Sequence, residues 1–253
     1  TAMKNVSCII CVSVFVAGPL HADSINVRKG SGAMTLPGKV VGYNDAELEI
    51  VFKAGAREQR HHIKQIAAVQ YDAIPAFSLA EKLRNKKSPD YKAVVAAYDK
   101  ALKSVTKRWE KLLIEHRKYM VLDDAGNLDK AVDYWLKMLD KSGGSEKVID
   151  LMPQKLKASS PGVRRVALRR LSGDAKKLER NIKKNAKALT SVYRLQIAIL
   201  QTIGEEDAVA AIQKKMERVA DGQPVANGGN GAGGNGNQNN NGGGGAKPKT
   251  RLP

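Results

Sequence analysis

Cysteine is nearly absent from this chain. Of 253 residues only Cys8 and Cys11 are cysteines, and both fall within the first 22. The rest of the chain therefore has no thiol for a disulfide or a cysteine-held metal. Aromatic residues make up only 5%, too few to interleave a basic surface with stacking platforms, which argues against sequence-specific readout of nucleic acid. Histidine occurs four times. His61 and His62 adjoin in a stretch of strand-like period, so their side chains point to opposite faces. His116 stands alone among basic neighbours and is expected to be solvated. A metal needs converging ligands, and none converge here. No G-x-S-x-G elbow, H-E-x-x-H pair or phosphate-binding glycine loop occurs. Asp123-Asp124 and Glu205-Glu206-Asp207 lie near expected helix ends, and for the second group the helix dipole accounts for the acids. The sequence therefore predicts a non-enzyme that needs no cofactor and no metal.

Long apolar runs are also missing. The one clear run, Val6 to Val16, is too short to cross a bilayer as a helix. Met3 and Lys4 precede it and Leu20-His21-Ala22 follows, the pattern of a secretory signal peptide over residues 1–22 cut after Ala22. Neither cysteine follows the small-residue pattern of a lipoprotein signal. The expectation is an exported protein, periplasmic or at the cell surface, with no transmembrane span after cleavage.

Residues 23–74 show a period of two. Gly38 to Tyr43 leads to a turn signal at Asn44-Asp45. Leu48, Ile50 and Phe52 then share one face, Ala54-Gly55-Ala56 turns again, and Arg57 to Ile63 and Ile66 to Tyr71 complete a meander of four or five strands. Such a meander forms a small all-β, barrel-like module, either a small barrel or a curved sheet. The stretch Gly38 to Val51 resembles the first motif of Sm-like barrels through Gly38, Gly42 and Asp45. Glu49 stands where that family's RNA-contacting asparagine would be, and the arginine-glycine pair of its second motif is missing from Ile63 to Ile66. An SH3-like barrel fits equally well.

Residues 75–221 change to helical period, beginning at Pro75. Ser88-Pro89 reads as a cap followed by a first-turn proline, with Tyr91, Val94, Tyr98, Ala101 and Leu102 behind it. Lys107 to Leu122 reads as one long helix. Leu128, Ala131, Trp135, Met138 and Leu139 form the next apolar stripe. Further on, Val163–Leu171 aligns with Val192–Leu200 at a shift of 29 residues. The first is followed by Ser172-Gly173 and a second stripe, Ala175, Leu178, Ile182 and Ala186. The second is followed by Gly204 and then Val209, Ile212, Met216 and Val219. Ser160-Pro161 suits a cap, and Gly204 suits a left-handed helix end. A third copy, marked by Leu139, Gly143 and Val148, lies upstream, with a kink expected at Pro153 inside its second helix.

At these residues the chain resembles HEAT-like repeats, most clearly over Val192 to Met216. The Tyr91–Leu102 and Leu128–Leu139 stripes resemble the second helix of a tetratricopeptide repeat. The resemblance implies a mainly α protein, an α-solenoid of helical hairpins, and α+β overall once the sheet is counted. It carries no catalytic residue with it. An irregular helical bundle is the plainer alternative.

Charge is strongly one-sided. Lysine and arginine number 43 against 25 acids, for a net charge of +18. Between Lys155 and Arg194 there are thirteen basic residues against Asp174 and Glu179. Arg164, Arg165, Arg169 and Arg170 belong to one expected helix. Lys176, Lys177, Arg180, Lys183, Lys184 and Lys187 belong to the next, where Lys176, Arg180, Lys183 and Lys187 line one stripe. These ten residues are the candidate binding surface, of the kind that attracts phosphate or carboxylate polymers. A solvated face that keeps the protein soluble is the alternative. Residues 222–253 are rich in glycine and asparagine and end in Lys247, Lys249 and Arg251, a composition expected to stay disordered. Together these features predict an exported scaffold that binds another envelope protein. The alternative is an exported binder of acidic polymer: polysaccharide, lipid head groups or nucleic acid.

Overall fold

The structure, a computed structural model, describes residues 23–30 and 32–223. The expected signal peptide, and the expected tail from residue 224 onward, lie outside the described residues. Five strands come first: β1 (Asp23–Lys29), β2 (Gly32–Asn44), β3 (Glu49–Ala54), β4 (Arg57–His62) and β5 (Ile66–Gln70). They form one antiparallel sheet in the order β4-β3-β2-β1-β5. The 13-residue β2 serves both halves: Gly32 to Gly38 pair with β1, and Lys39 to Asn44 pair with β3. The change of partner falls at Gly38, where the backbone is so close that an added Cβ would lie 2.4 Å from the Lys53 carbonyl oxygen and 2.6 Å from the Phe52 ring. A register shift between Val40 and Gly42 adds to the bend. The expected alternation holds. Leu48, Ile50 and Phe52 are all fully buried. A short 3-10 turn, Ile63–Gln65, joins β4 to β5.

The helices are α1 (Pro75–Arg84), α2 (Tyr91–Ser104), α3 (Arg108–Asp124), α4 (Leu128–Lys141), the single turn α5 (Glu146–Ile149), α6 (Pro161–Glu179), α7 (Ile182–Ile203) and α8 (Glu206–Ala220). From α1 to α4, and again from α6 to α8, each packs on the next, and α4 packs on α6. The fold is α+β with helix predominant, as expected. Among the described residues no helix is long and apolar enough to cross a membrane.

Four local expectations are corrected. The cap of α2 is Asp90, whose carboxylate accepts from the Lys92 and Ala93 amides, and not Ser88. Pro153 does not kink a helix, because α5 has already ended at Ile149. Ser172-Gly173 does not break a helix. Ala167, Leu171 and Ala175 keep one buried stripe in register through it, and burying that stripe offsets the cost of about 1 kcal/mol for an interior glycine. The break falls instead at Arg180-Asn181, where Asn181 caps α7 by accepting from the Lys184 amide. Fourth, α7 then runs unbroken through Ala186 and Val192 to Ile203. The 29-residue shift therefore relates two consecutive helices of one hairpin, α6 and α7, and not the first helices of two hairpins.

Sheet and helices share one core. Its polar centre is Arg117 of α3, fully buried against Glu81 of α1. The guanidinium donates to both Glu81 oxygens, at 2.8 and 2.5 Å, and to the Ile66 and Ala67 carbonyls, each at 2.9 Å. Glu81 also accepts from the Val69 amide at 3.0 Å and from the Tyr98 hydroxyl of α2. Burial by itself would raise the Glu81 carboxyl, but the charge and hydrogen bonds of Arg117 outweigh it and hold the group below its usual range. One ion pair thus ties β5, α1, α2 and α3 together.

Candidate functional site

The basic segment is built by α6 and the start of α7. Ser160 caps α6 by accepting from the Val163 amide, and Pro161 fills the first turn. Val163, Ala167, Leu171, Ala175 and Leu178 recur at helical spacing and turn toward the core. That register leaves Arg165, Arg169, Lys176 and Arg180 on the outer face, all exposed. Lys183 and Lys184, in the first turn of α7, are exposed as well. None of these six cations has a salt-bridge partner among the described residues.

The other four expected site residues are already engaged. Arg164 donates to the carbonyls of Leu156 at 3.1 Å, Thr202 at 3.1 Å and Lys157 at 3.2 Å, and so clamps α6 to the end of α7. Arg170 pairs with Asp133 of α4. Lys177 pairs with Asp174 at 2.6 Å, and Lys187 with Glu146 at 2.8 Å. The stripe expected from Lys176 through Lys187 does not lie on one helix. The chain turns at Arg180-Asn181, so Lys176 and Arg180 close α6 while Lys183 and Lys187 open α7.

The two acids of the segment do not neutralise the outer face. Asp174 holds Lys177, and Glu179 accepts from the Tyr193 hydroxyl and lies 3.6 Å from Lys215. Basic residues at the end of α6 suit its dipole. Lys183 and Lys184 do not suit theirs: the first turn of α7 contains no acidic residue. An anion docked at this corner would relieve that mismatch.

One residue is placed contrary to expectation. His116 is not solvated; it is buried on α3, with Nδ1 2.5 Å from the Tyr43 hydroxyl of β2. The signal was present in the sequence. Leu112, Leu113, Tyr119 and Met120 flank His116 at steps of three and four, which places it on the packed side of the helix. Trp135, expected in the core, is fully buried and donates from Nε1 to the Val148 carbonyl at 2.9 Å.

No protein-family model matches the chain, and neither a curated protein nor a solved structure matches it.

Proposed function

We propose that this protein is a non-enzymatic binding module that holds an acidic polymer along the outer face of α6 and the α6–α7 corner. The observation that carries this reading is the set of six exposed cations, Arg165, Arg169, Lys176, Arg180, Lys183 and Lys184, left without a carboxylate partner among the described residues. Fixed helices hold them, so a repeating array of phosphates, sulfates or carboxylates meets a prepared row of charge. Nothing in the row distinguishes one base from another, so recognition is of charge and spacing. With the export suggested by residues 1–22, the polymer would be one found outside the cytoplasm.

A second reading has its own support. Helices α1–α4 and α6–α8 pack in chain order, each on the next, which suits a HEAT-like or tetratricopeptide-like scaffold for an envelope protein. The strand order β4-β3-β2-β1-β5, with a 3-10 turn before the last strand, likewise supports an SH3-like or Sm-like reading of the sheet.

The test is binding to heparin and to duplex DNA across a salt series. The comparison is a variant with all six cations changed to glutamine. If all six contact phosphate, the DNA affinity should fall with a log–log slope of about −5. The variant should lose most of that slope. Binding indifferent to the six changes, or to salt, would leave the scaffold reading.

A further inference from the structure

A second site lies away from the basic face. A cleft of about 340 Å³ opens between the turn joining β2 to β3 and the α3–α4 pair. Leu112, Met138 and Val148 supply its apolar wall, and His116 lies at its base. Asp45 and Glu47 of the turn, Glu115 of α3, and Lys137 and Lys141 of α4 surround it. None of these five charged side chains is in a salt bridge among the described residues.

His116 is only 5% exposed, and its two ring nitrogens are unequally used. Nδ1 faces the Tyr43 hydroxyl. The buried Tyr43 hydroxyl has no other acceptor among the described residues, so the arrangement that satisfies it is O–H donating to Nδ1. The proton of the neutral imidazole then sits on Nε2. That atom has no partner among the described residues, yet it is not among their sealed, unsatisfied polar atoms; it meets the cleft as an N–H donor.

The turn above it is held rigid. The Asn44 side chain accepts from the Ala46 and Glu47 amides. Leu48 has a φ of 56°, a left-handed value that a leucine rarely adopts. Its side chain is fully buried and its carbonyl accepts from the Ile63 amide at 2.8 Å, and these contacts keep it there. Strain of this kind, held by surrounding structure, occurs beside ligand sites.

We propose that this cleft binds a small zwitterion of dipeptide size. Its carboxylate would take the His116 Nε2–H and the Lys141 ammonium, and its ammonium would sit against Asp45 and Glu115. Mixed charge in the wall selects the class. A simple anion would leave Asp45 beside it without compensation, and a simple cation would leave the imidazole N–H unmet. The volume falls at the small end of the range for ligand pockets, and the apolar wall accepts one aliphatic side chain.

The experiment is an NMR titration of the full 253-residue chain with glycyl-leucine, beside N-acetyl-glycyl-leucinamide, which keeps the shape without the charges. The expected result is a saturating shift of the His116 ring and of the Ala46 and Glu47 amides with the zwitterion alone. Asp45→Asn and Lys141→Gln, both exposed changes, should each weaken it about tenfold. The site is overturned if no shift saturates, if the capped compound shifts the same signals equally, or if both variants bind as the parent does. None of the six cations of the basic face lines this cleft, so the two sites fail or stand independently.

Discussion

Arg117 and Arg165 are the same residue put to opposite uses. Arg117 is fully buried, shares both oxygens of Glu81 and holds two strand carbonyls. Arg165 stands exposed on α6 with no acidic partner among the described residues. The first region uses charge to fix one arrangement of sheet and helices. The second leaves charge available to solvent and to whatever anion arrives. A net charge of +18 is silent on this division; only the depth of each side chain decides it.

The largest effect that separates the two regions is on stability. Arg117→Ala removes the one cation that forms a salt bridge with the fully buried Glu81 carboxylate among the described residues, and should cost about 3–5 kcal/mol in urea unfolding. The paired change Arg117→Met with Glu81→Leu should cost less than the single change, because no charge is then stranded. If the pair costs more, packing and not charge is what Arg117 supplies.

Next in size is a pH effect centred on His116. Burial lowers this group from its ordinary value of 6.5 to about 4, opposed in part by Asp45 and aided by Lys141; Glu47, Glu115 and Lys137 also surround the cleft. Between pH 6.5 and 4 the unfolded chain takes up a proton that the folded chain refuses. Stability should therefore fall as pH drops through that window, by at most about 3 kcal/mol. Denaturant midpoints of the parent at pH 7 and pH 4.5 should differ by more than those of His116→Gln. Equal pH dependence in the two would mean that burial does not hold the imidazole neutral in the folded chain.

The finest comparison lies between neighbours on α6. Arg164→Gln gives up donors to three carbonyls and should cost about 1–3 kcal/mol. Arg165→Gln should stay within about 0.5 kcal/mol of the parent. Its effect should appear only as weaker polymer binding. Thermal melts of the two variants side by side would decide this, and a destabilised Arg165→Gln would place that side chain in the structure and not in the site.

How far the sequence was legible follows the same division. The strand Glu49–Ala54 was legible because one of its faces is buried, so the period-two alternation survives at Leu48, Ile50 and Phe52, whereas Arg57–His62 buries none of its residues. Pro75, Ser160 and Gly204 marked helix ends correctly, since each acts locally: Pro75 and Gly204 through their own backbone and Ser160 through its hydroxyl, which accepts from the Val163 amide; Gly204 has a φ of 76°. Local signals failed where tertiary packing outweighed them. Ser172-Gly173 looked like a turn, yet the buried stripe from Ala167 to Ala175 carried the helix through it. Ser88-Pro89 looked like a cap, but Asp90, two residues on, accepts two amides. Of the ten basic candidates, six have no salt-bridge partner among the described residues. Arg164, Arg170, Lys177 and Lys187 found partners 7 to 41 residues away or one turn away, which charge counting does not reveal.

The β5–α1 and β2–α3 contacts, with Arg117 bonded across them, have a consequence for how such a chain could grow. Duplication lengthens a helical array by adding a hairpin where an apolar face can accept one. Here the sheet already occupies the face that α1 and α3 would offer, and a hairpin inserted there would have to break the bonds to Ile66 and Ala67. On this side the sheet therefore acts as a fixed end to the helical stack.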